Sequence, residues 1–370
     1  MATNGSDFVP GLEGVVAFHT AIAEPDRNGG SLRYRGVDIE DLVGRVGFED
    51  AWALLVDDEF GARLPVETAS PAFRSGDVRV DVQASLPLLA PARGFGPLLD
   101  ITDAQAREHL AQTTSAVLSY AAHSARGERM AVSTRELESC STVVERFVTA
   151  WTGEANPQQV SAIDAYWVSA AEHGMNASTF TARVVASTGA DVPASITGAI
   201  GSMSGPLHGG APARVLPMVK EVEAGGDPHG LVTRILDNNE RLMGFGHRVY
   251  RAEDPRARVL RRTCRDLNAP RFEAAAALEQ AALSILRERR PDRAIETNVE
   301  FWAAVILDFA GVPAAMMPAM FTCARTAGWS AHILEQKRLG RIVRPSAFYD
   351  GHGARGVDDV AGTPAVAVTV

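Results

Sequence analysis

Apolar side chains that recur every three and four residues, in one helix-length segment after another, constrain this chain more than any other feature. The clearest case is residues 104–124, where Ala106, Leu110, Thr113, Thr114, Val117, Leu118 and Ala121 form one stripe. That is the spacing at which side chains share a helix face. Residues 48–56, 142–151, 158–171, 272–290 and 316–337 read the same way, with Ile163, Tyr166, Trp167 and Ala170 as packing positions in the third of these. Pro291 ends one such segment, and Gly311 with Pro313 ends another. Strand-like patterning is confined to the start of the chain. Residues 15–22 read as extended, 26–30 as a turn and 31–34 as a second short strand. The spacing therefore predicts a mainly α protein with a small N-terminal hairpin.

A length of 370 residues exceeds what one hydrophobic core usually organises, so two domains are expected. The composition, 46% hydrophobic and 22% charged, is that of an ordinary globular protein. A formal charge of −9 excludes a general nucleic-acid or anionic-membrane surface, so an anion site must come from local clustering of arginines. No apolar run reaches membrane-spanning length, and the first ten residues lack the basic start and apolar stretch of a signal peptide. Cys140, Cys264 and Cys323 are far apart and form no C-x-x-C pair, which argues against a disulfide framework or a thiolate zinc site. A cytoplasmic protein is expected. There is no H-E-x-x-H, phosphate loop or G-x-G-x-x-G, and residues 201–205 miss the G-x-S-x-G register.

Chemistry concentrates in a few loops. Residues 241–256 read RLMGFGHRVYRAEDPR. Gly244 and Gly246 bracket Phe245, a spacing that lets the backbone bend sharply or approach a ligand closely. His247 follows, and Arg248, Arg251 and Arg256 supply guanidinium forks that match carboxylate or phosphate oxygens in pairs. Asp254-Pro255 reads as an N-cap and a first-turn proline, which places Arg256 at a helix N-terminus. The implied ligand is a small polyanion. Two further polar clusters interrupt apolar segments: Glu172-His173-Gly174-Met175-Asn176-Ala177-Ser178-Thr179, and the glycine-flanked His208 in GPLHGGA. Glu300 precedes an apolar helix, where Thr297-x-x-Glu300 also fits a capping box, so a structural role competes there. Arg325 breaks an apolar helix and calls for an anionic partner.

These segments resemble citrate synthases. Residues 244–256 match G-F/Y-G-H-x-V-x-R-x-x-D-P-R, residues 173–179 the H-x-x-N-A-S-T segment, 205–211 the motif G-P-x-H-G-G-A, and 321–329 the run F-x-x-A-R-T-A-G-W. Residues 342–345 match I-x-R-P, and the beginning of the chain is similar to the short bacterial type, with no added nucleotide-responsive module expected. The resemblance implies a citrate synthase-like two-domain helical fold and a homodimer. The large domain would comprise residues 1–208 and 312–370, and the small domain 209–311. It also implies condensation of acetyl-CoA with oxaloacetate and hydrolysis of citryl-CoA, without a metal or cofactor. His208, His247 and Glu300 would be catalytic. His173, Arg256, Phe321, Arg325 and a partner-chain Arg344 would hold oxaloacetate, and Arg251, Gly244, Phe245 and Gly246 would meet coenzyme A. Three positions depart from the family pattern: Glu172 and Glu300 stand where relatives carry aspartate, and Pro212 where many carry asparagine. The extra methylene of Glu300 moves the expected base, and a shift of about 1 Å can cost on the order of a hundredfold in rate. The resemblance also leaves open 2-methylcitrate synthase, which uses propionyl-CoA, and a catalytically weak paralogue that binds oxaloacetate or CoA.

Overall fold

Short polar side chains begin many of the helices of this protein. Thr102 accepts the amide of Gln105 and closes a capping box, Thr142 accepts Glu145, Asn156 accepts Gln158 and Asp254 accepts Arg256. The computed structural model describes residues 8–360 except 27, 29, 206–207, 209–211, 247–249 and 251. Its helices in chain order are α1 (Ile39–Leu42), α2 (Phe48–Asp57), α3 (Val78–Ser85), α4 (Leu89–Arg93), α5 (Asp103–Arg126), α6 (Thr134–Glu138), α7 (Val143–Thr152) and α8 (Pro157–Ala170). They continue with α9 (Ala177–Ser187), α10 (Val192–Met203), α11 (Pro212–Glu223), α12 (Pro228–Asp237), α13 (Pro255–Asp266), α14 (Phe272–Arg289), α15 (Val299–Phe309) and α16 (Met317–Leu339). The described residues are 58% helical, as the periodicity predicts.

Two units emerge. Residues 1–19 with 343–370 form one, whose described part contains single turns at Pro10–Leu12 and Val357–Asp359 and exposes Phe8, Val16 and Tyr349. Residues 20–342 form the other and contain all the helices named above.

The sheet is a small antiparallel meander of β1 (Ala23–Asp26), β2 (Ser31–Tyr34) and β3 (Val37–Asp38). Its first strand therefore lies after the expected 15–22. Val15 and Val16 are exposed and in no strand, whereas Ala23 pairs with Tyr34 and Asp26 with Ser31. Asp26 also accepts the amide of Asn28 in the intervening turn. The third strand follows a two-residue turn, Arg35-Gly36, in which both residues have positive φ; this is the twist that a tight hairpin needs.

Helix α16 is buried nearly all round, from Met317 to Leu334, and packs against α2, α5, α8, α9 and α10. Trp329 on this helix, Trp52 and Trp167 are all almost fully buried. Each such side chain contributes roughly 2–3 kcal/mol through removal from water. Pro318 lies in the first turn of α16, where its missing amide costs no helix bond, so the helix is not broken there. The small residues of 180–203 do bring helices close: a Cβ on Gly198 of α10 would lie 3.1 Å from Val185 Cγ2 of α9.

Helix α2 has no cap of its own, because Gly47 offers no side chain. Asp164 of α8 substitutes, accepting the amide of Phe48 at 2.8 Å. Burial pushes the Asp164 carboxyl up to about 7, the Phe48 N–H partly offsets this, and Glu49 and Asp50 add to it. Because the folded value exceeds the unfolded one, this group's contribution is intact below about pH 4 and is lost as pH rises through 7. Asp164→Asn retains the carbonyl acceptor without the charge. In urea titrations it should match wild type at pH 4 and exceed it by an amount on the order of a few kcal/mol at pH 8; equal midpoints at both pH values would refute this account.

Candidate active site

Glu300 occupies the second position of α15, and its surroundings hold the helix end from three directions. Asn298 is the N-cap: its Oδ1 accepts the Glu300 amide at 3.0 Å, and its Nδ2 donates to the Gly246 carbonyl at 2.9 Å. The Asn298 amide donates to the Gly244 carbonyl at 3.0 Å, and the Gly246 amide donates to the Glu296 carbonyl at 2.8 Å, around a Phe245–Thr297 bridge. Asp254 accepts the Val299 amide at 3.0 Å. The Thr297-x-x-Glu300 capping box is therefore not formed. The helix starts one residue later, Asn298 caps it, and Thr297 Oγ1 is buried without a partner among the described residues. Gly244 is required here, since at φ 89° a Cβ would come within 2.9 Å of Phe301. The Glu300 carboxyl is raised above its ordinary value by burial, with the positive charges of Arg256 and Arg241 offsetting part of the shift and Asp254 reinforcing it.

His208 lies in the turn after α10, with its amide on the Gly205 carbonyl. Its Nε2 meets Ser178 Oγ at 2.8 Å. Ser178 also receives the Trp329 indole N–H at 3.2 Å and donates to Asn176 Oδ1 at 2.9 Å. Asn176 is the N-cap of α9 and takes the Thr179 amide as well, so Oδ1 keeps a donor even when the serine proton turns toward His208. In that arrangement Nε2 accepts and the neutral ring carries its proton on Nδ1. Burial, with repulsion from Arg325, drops the His208 pKa to about 4, so the ring is neutral at pH 7. The Phe321 ring stands edge-on to it, with centroids 6.2 Å apart.

Two buried guanidiniums complete the cluster. Arg256 is bound bidentately by Asp254, Nε to Oδ1 at 3.0 Å and Nη2 to Oδ2 at 2.8 Å. Arg325 is 1% exposed; its Nε donates to the Ala170 carbonyl at 2.9 Å, and its head lies 4.8 Å from the Phe321 ring centroid. The anionic partner expected for it is not in contact: among the described residues no carboxylate lies within salt-bridge distance, although the charge of Glu172 acts on it. Arg325 also acts on His208, and Arg256 acts on both Arg325 and Glu300, so these groups share one electrostatic cluster.

His173 is 8% exposed, with Nε2 3.0 Å from the Tyr250 hydroxyl. The turn that carries it is anchored by Tyr34 of β2, whose hydroxyl accepts the Glu172 amide at 3.2 Å and lies 3.1 Å from the carbonyls of Val168, Ser169 and Glu172. Glu172 is fully buried. Arg183 donates to His332 Nδ1 at 3.0 Å, which leaves the His332 proton on Nε2, directed at Glu172 Oε1 at 3.3 Å. His247 and Arg251 lie outside the described residues. Arg344 is exposed and belongs to the unit that contains the termini.

Sequence reasoning did not assign roles to Ser178, Tyr34 or Tyr250, or see that Asp254 serves both Arg256 and α15. Ser178 lies inside a motif already recognised, which is the signal that could have found it. The two tyrosines carry no local signal.

Gly328 of α16 donates its amide to the Ala171 carbonyl at 3.1 Å, and a Cβ there would overlap Glu172 Oε2 and lie 2.6 Å from that carbonyl. Gly328→Ala should therefore cost several kcal/mol, beyond the usual range for overpacking, because backbone and a buried carboxylate must both move. A urea midpoint within experimental error of wild type would contradict this packing.

Residues 11–346 match the family model described as citrate synthase, C-terminal domain. The "Putative citrate synthase 2" of Mycobacterium tuberculosis is 68% identical over 366 residues, covering 98% of each chain. The 2-methylcitrate synthase of Shewanella oneidensis is 30% identical over 377 residues, covering 95% of this chain and 97% of that protein. The crystal structure of citrate synthase from Thermotoga maritima superposes with a TM-score of 0.74 at 27% identity, covering 95% of this chain and 98% of that one. With this geometry and these relatives, the chain belongs to the citrate synthase family, the carbon–carbon bond-forming acyl-CoA condensing transferases.

Proposed function

We propose that the chain condenses acetyl-CoA with oxaloacetate and hydrolyses the resulting citryl-CoA to citrate and CoA. The observation that carries this reading is the opposite tuning of two groups in one charged cluster. Burial lifts the Glu300 carboxyl and depresses the His208 imidazole. The α-carbon of a thioester is a very weak acid, so it needs a carboxylate base of raised pKa together with a neutral donor to the developing enolate oxygen. Glu300 removes the methyl proton while His208 Nδ1–H bonds the thioester oxygen. The nucleophilic carbon then attacks the ketone of oxaloacetate, which His247 polarises. The Arg325 guanidinium, buried without a contact carboxylate, supports a dianionic substrate, and His173, Arg256 and a partner-chain Arg344 join it on the carboxylates. Phe321 lines this pocket. Arg251 and the Gly244-Phe245-Gly246 turn serve coenzyme A.

The same reading assigns residues 209–311 to a small domain that closes over a large one formed by 1–208 and 312–370, in a cytoplasmic homodimer that needs no metal or cofactor. Domain closure would exclude water around the reacting carbon.

Release of CoA should be followed with oxaloacetate plus either acetyl-CoA or propionyl-CoA. Turnover favouring acetyl-CoA supports the proposal, and preference for propionyl-CoA transfers it to 2-methylcitrate synthase. No wild-type turnover with either, restored by Glu300→Asp, would identify a binding paralogue. In an active enzyme Glu300→Asp should reduce kcat on the order of a hundredfold, since the carboxylate retreats by about 1 Å.

Protonated Glu300 is no base, and its pKa is raised, so kcat/KM should fall with decreasing pH along a limb whose midpoint lies above 4.5. His208 stays neutral down to about pH 4 and adds nothing above that. A flat profile down to pH 4.5 would rule out Glu300 as the base.

A further inference from the structure

Helix α8 packs against α13, α15 and α16, the three helices that carry Arg256, Glu300 and Arg325. Tyr166 is a buried residue of α8. It is one turn before Ala170, whose carbonyl takes the Arg325 Nε–H at 2.9 Å, so the tyrosine and that guanidinium lie along the same side of the helix. Its side chain is 2% exposed, and among the described residues no hydrogen bond reaches its hydroxyl. The charges of Arg325, Arg256 and Glu300 all act on this phenol. The buried phenols of Tyr34 and Tyr250, by contrast, have partners in the turn that holds His173.

Unlike Thr297 Oγ1 and Trp167 Nε1, unpartnered among the described residues, this hydroxyl is not fully sealed from solvent, so a ligand can reach it. Burial raises the Tyr166 pKa far above neutrality, so a proton remains available for donation. The group thus combines a fixed donor, two neighbouring cations and no acceptor from the protein. We propose that Tyr166 is a substrate-binding residue whose hydroxyl donates to a carboxylate of the oxo-dicarboxylate held by Arg256 and Arg325. This rests on the functional reading above and adds to it a neutral donor from α8. The hydroxyl is then a preformed donor that the arriving dianion engages.

The test is Tyr166→Phe, compared with wild type by thermal unfolding without ligand, oxaloacetate affinity by calorimetry, and steady-state kinetics. The expected result is a Tm equal to or above wild type, oxaloacetate affinity about tenfold weaker and an acyl-CoA KM within twofold, since a hydrogen bond to a charged group is lost while the ring remains. A merely structural tyrosine would instead lower the Tm and leave affinity unchanged. Oxaloacetate affinity within twofold of wild type overturns the proposal, as does a fall in kcat alone, which would place the hydroxyl on Glu300. Failure of wild type to bind oxaloacetate overturns the functional reading and this inference together. If the variant does not fold, wild type labelled with 13Cζ tyrosine decides the matter. The chain has five tyrosines, and the Tyr166 resonance, assigned by substituting the others, must move when oxaloacetate saturates the protein; a fixed resonance overturns the proposal.

Discussion

A permanent cation inside an apolar helix has to be compensated, and much of this protein is arranged around that constraint. Arg325 sits in α16, which is buried on nearly every side. Its compensation is spread out: the Ala170 carbonyl, the face of Phe321 and the more distant charge of Glu172. None of these is a carboxylate in contact, so the electrostatic demand stays partly unmet until an anion arrives. The same cation repels the proton from His208 and so helps keep that imidazole neutral. One charge thus bears both on the demand for an anion and on the protonation of the imidazole.

The second buried guanidinium is handled differently. Asp254 binds Arg256 through both carboxylate oxygens and also accepts the first amide of α15. The position of the arginine and that of the Glu300 helix are consequently coupled through one carboxylate. The Gly244–Gly246 turn is stitched to the same helix end by Asn298. A disturbance at Gly244–Gly246 therefore reaches Glu300 through hydrogen bonds at the helix end, and the extra methylene of Glu300 sits within a frame that fixes its backbone closely. The departure at Glu172 has its own accommodation: Gly328 leaves the room that its longer carboxylate fills.

Local signals are legible in the sequence. Caps at Thr102, Thr142, Asn156 and Asp254 place helix ends within a residue or two of what spacing suggests, because a cap acts over three or four residues and leaves its mark in sequence. The hairpin shows the limit. Its turn and second strand were legible, but the first strand depended on which residues find a partner across the turn. At α15 the spacing pointed to a cap at Thr297, whereas the structure has Asn298. Hydrogen bonds from Asn298 to the distant Gly244–Gly246 segment favour the latter.

The sequence by itself determined the helical class, the family and the residue types of the site, because periodicity, caps and contiguous motifs are short-range properties. Tertiary structure decided what these groups do to one another. Tyr166 reads as a packing residue until α8 is set against α13, α15 and α16, and Tyr34 reads as a strand residue until it meets the turn 134 to 138 residues away. The opposite shifts of Glu300 and His208 arise in the same way. Desolvation and the charges of Arg256 and Arg325 act through space, and the chain brings those groups together only when its distant segments pack.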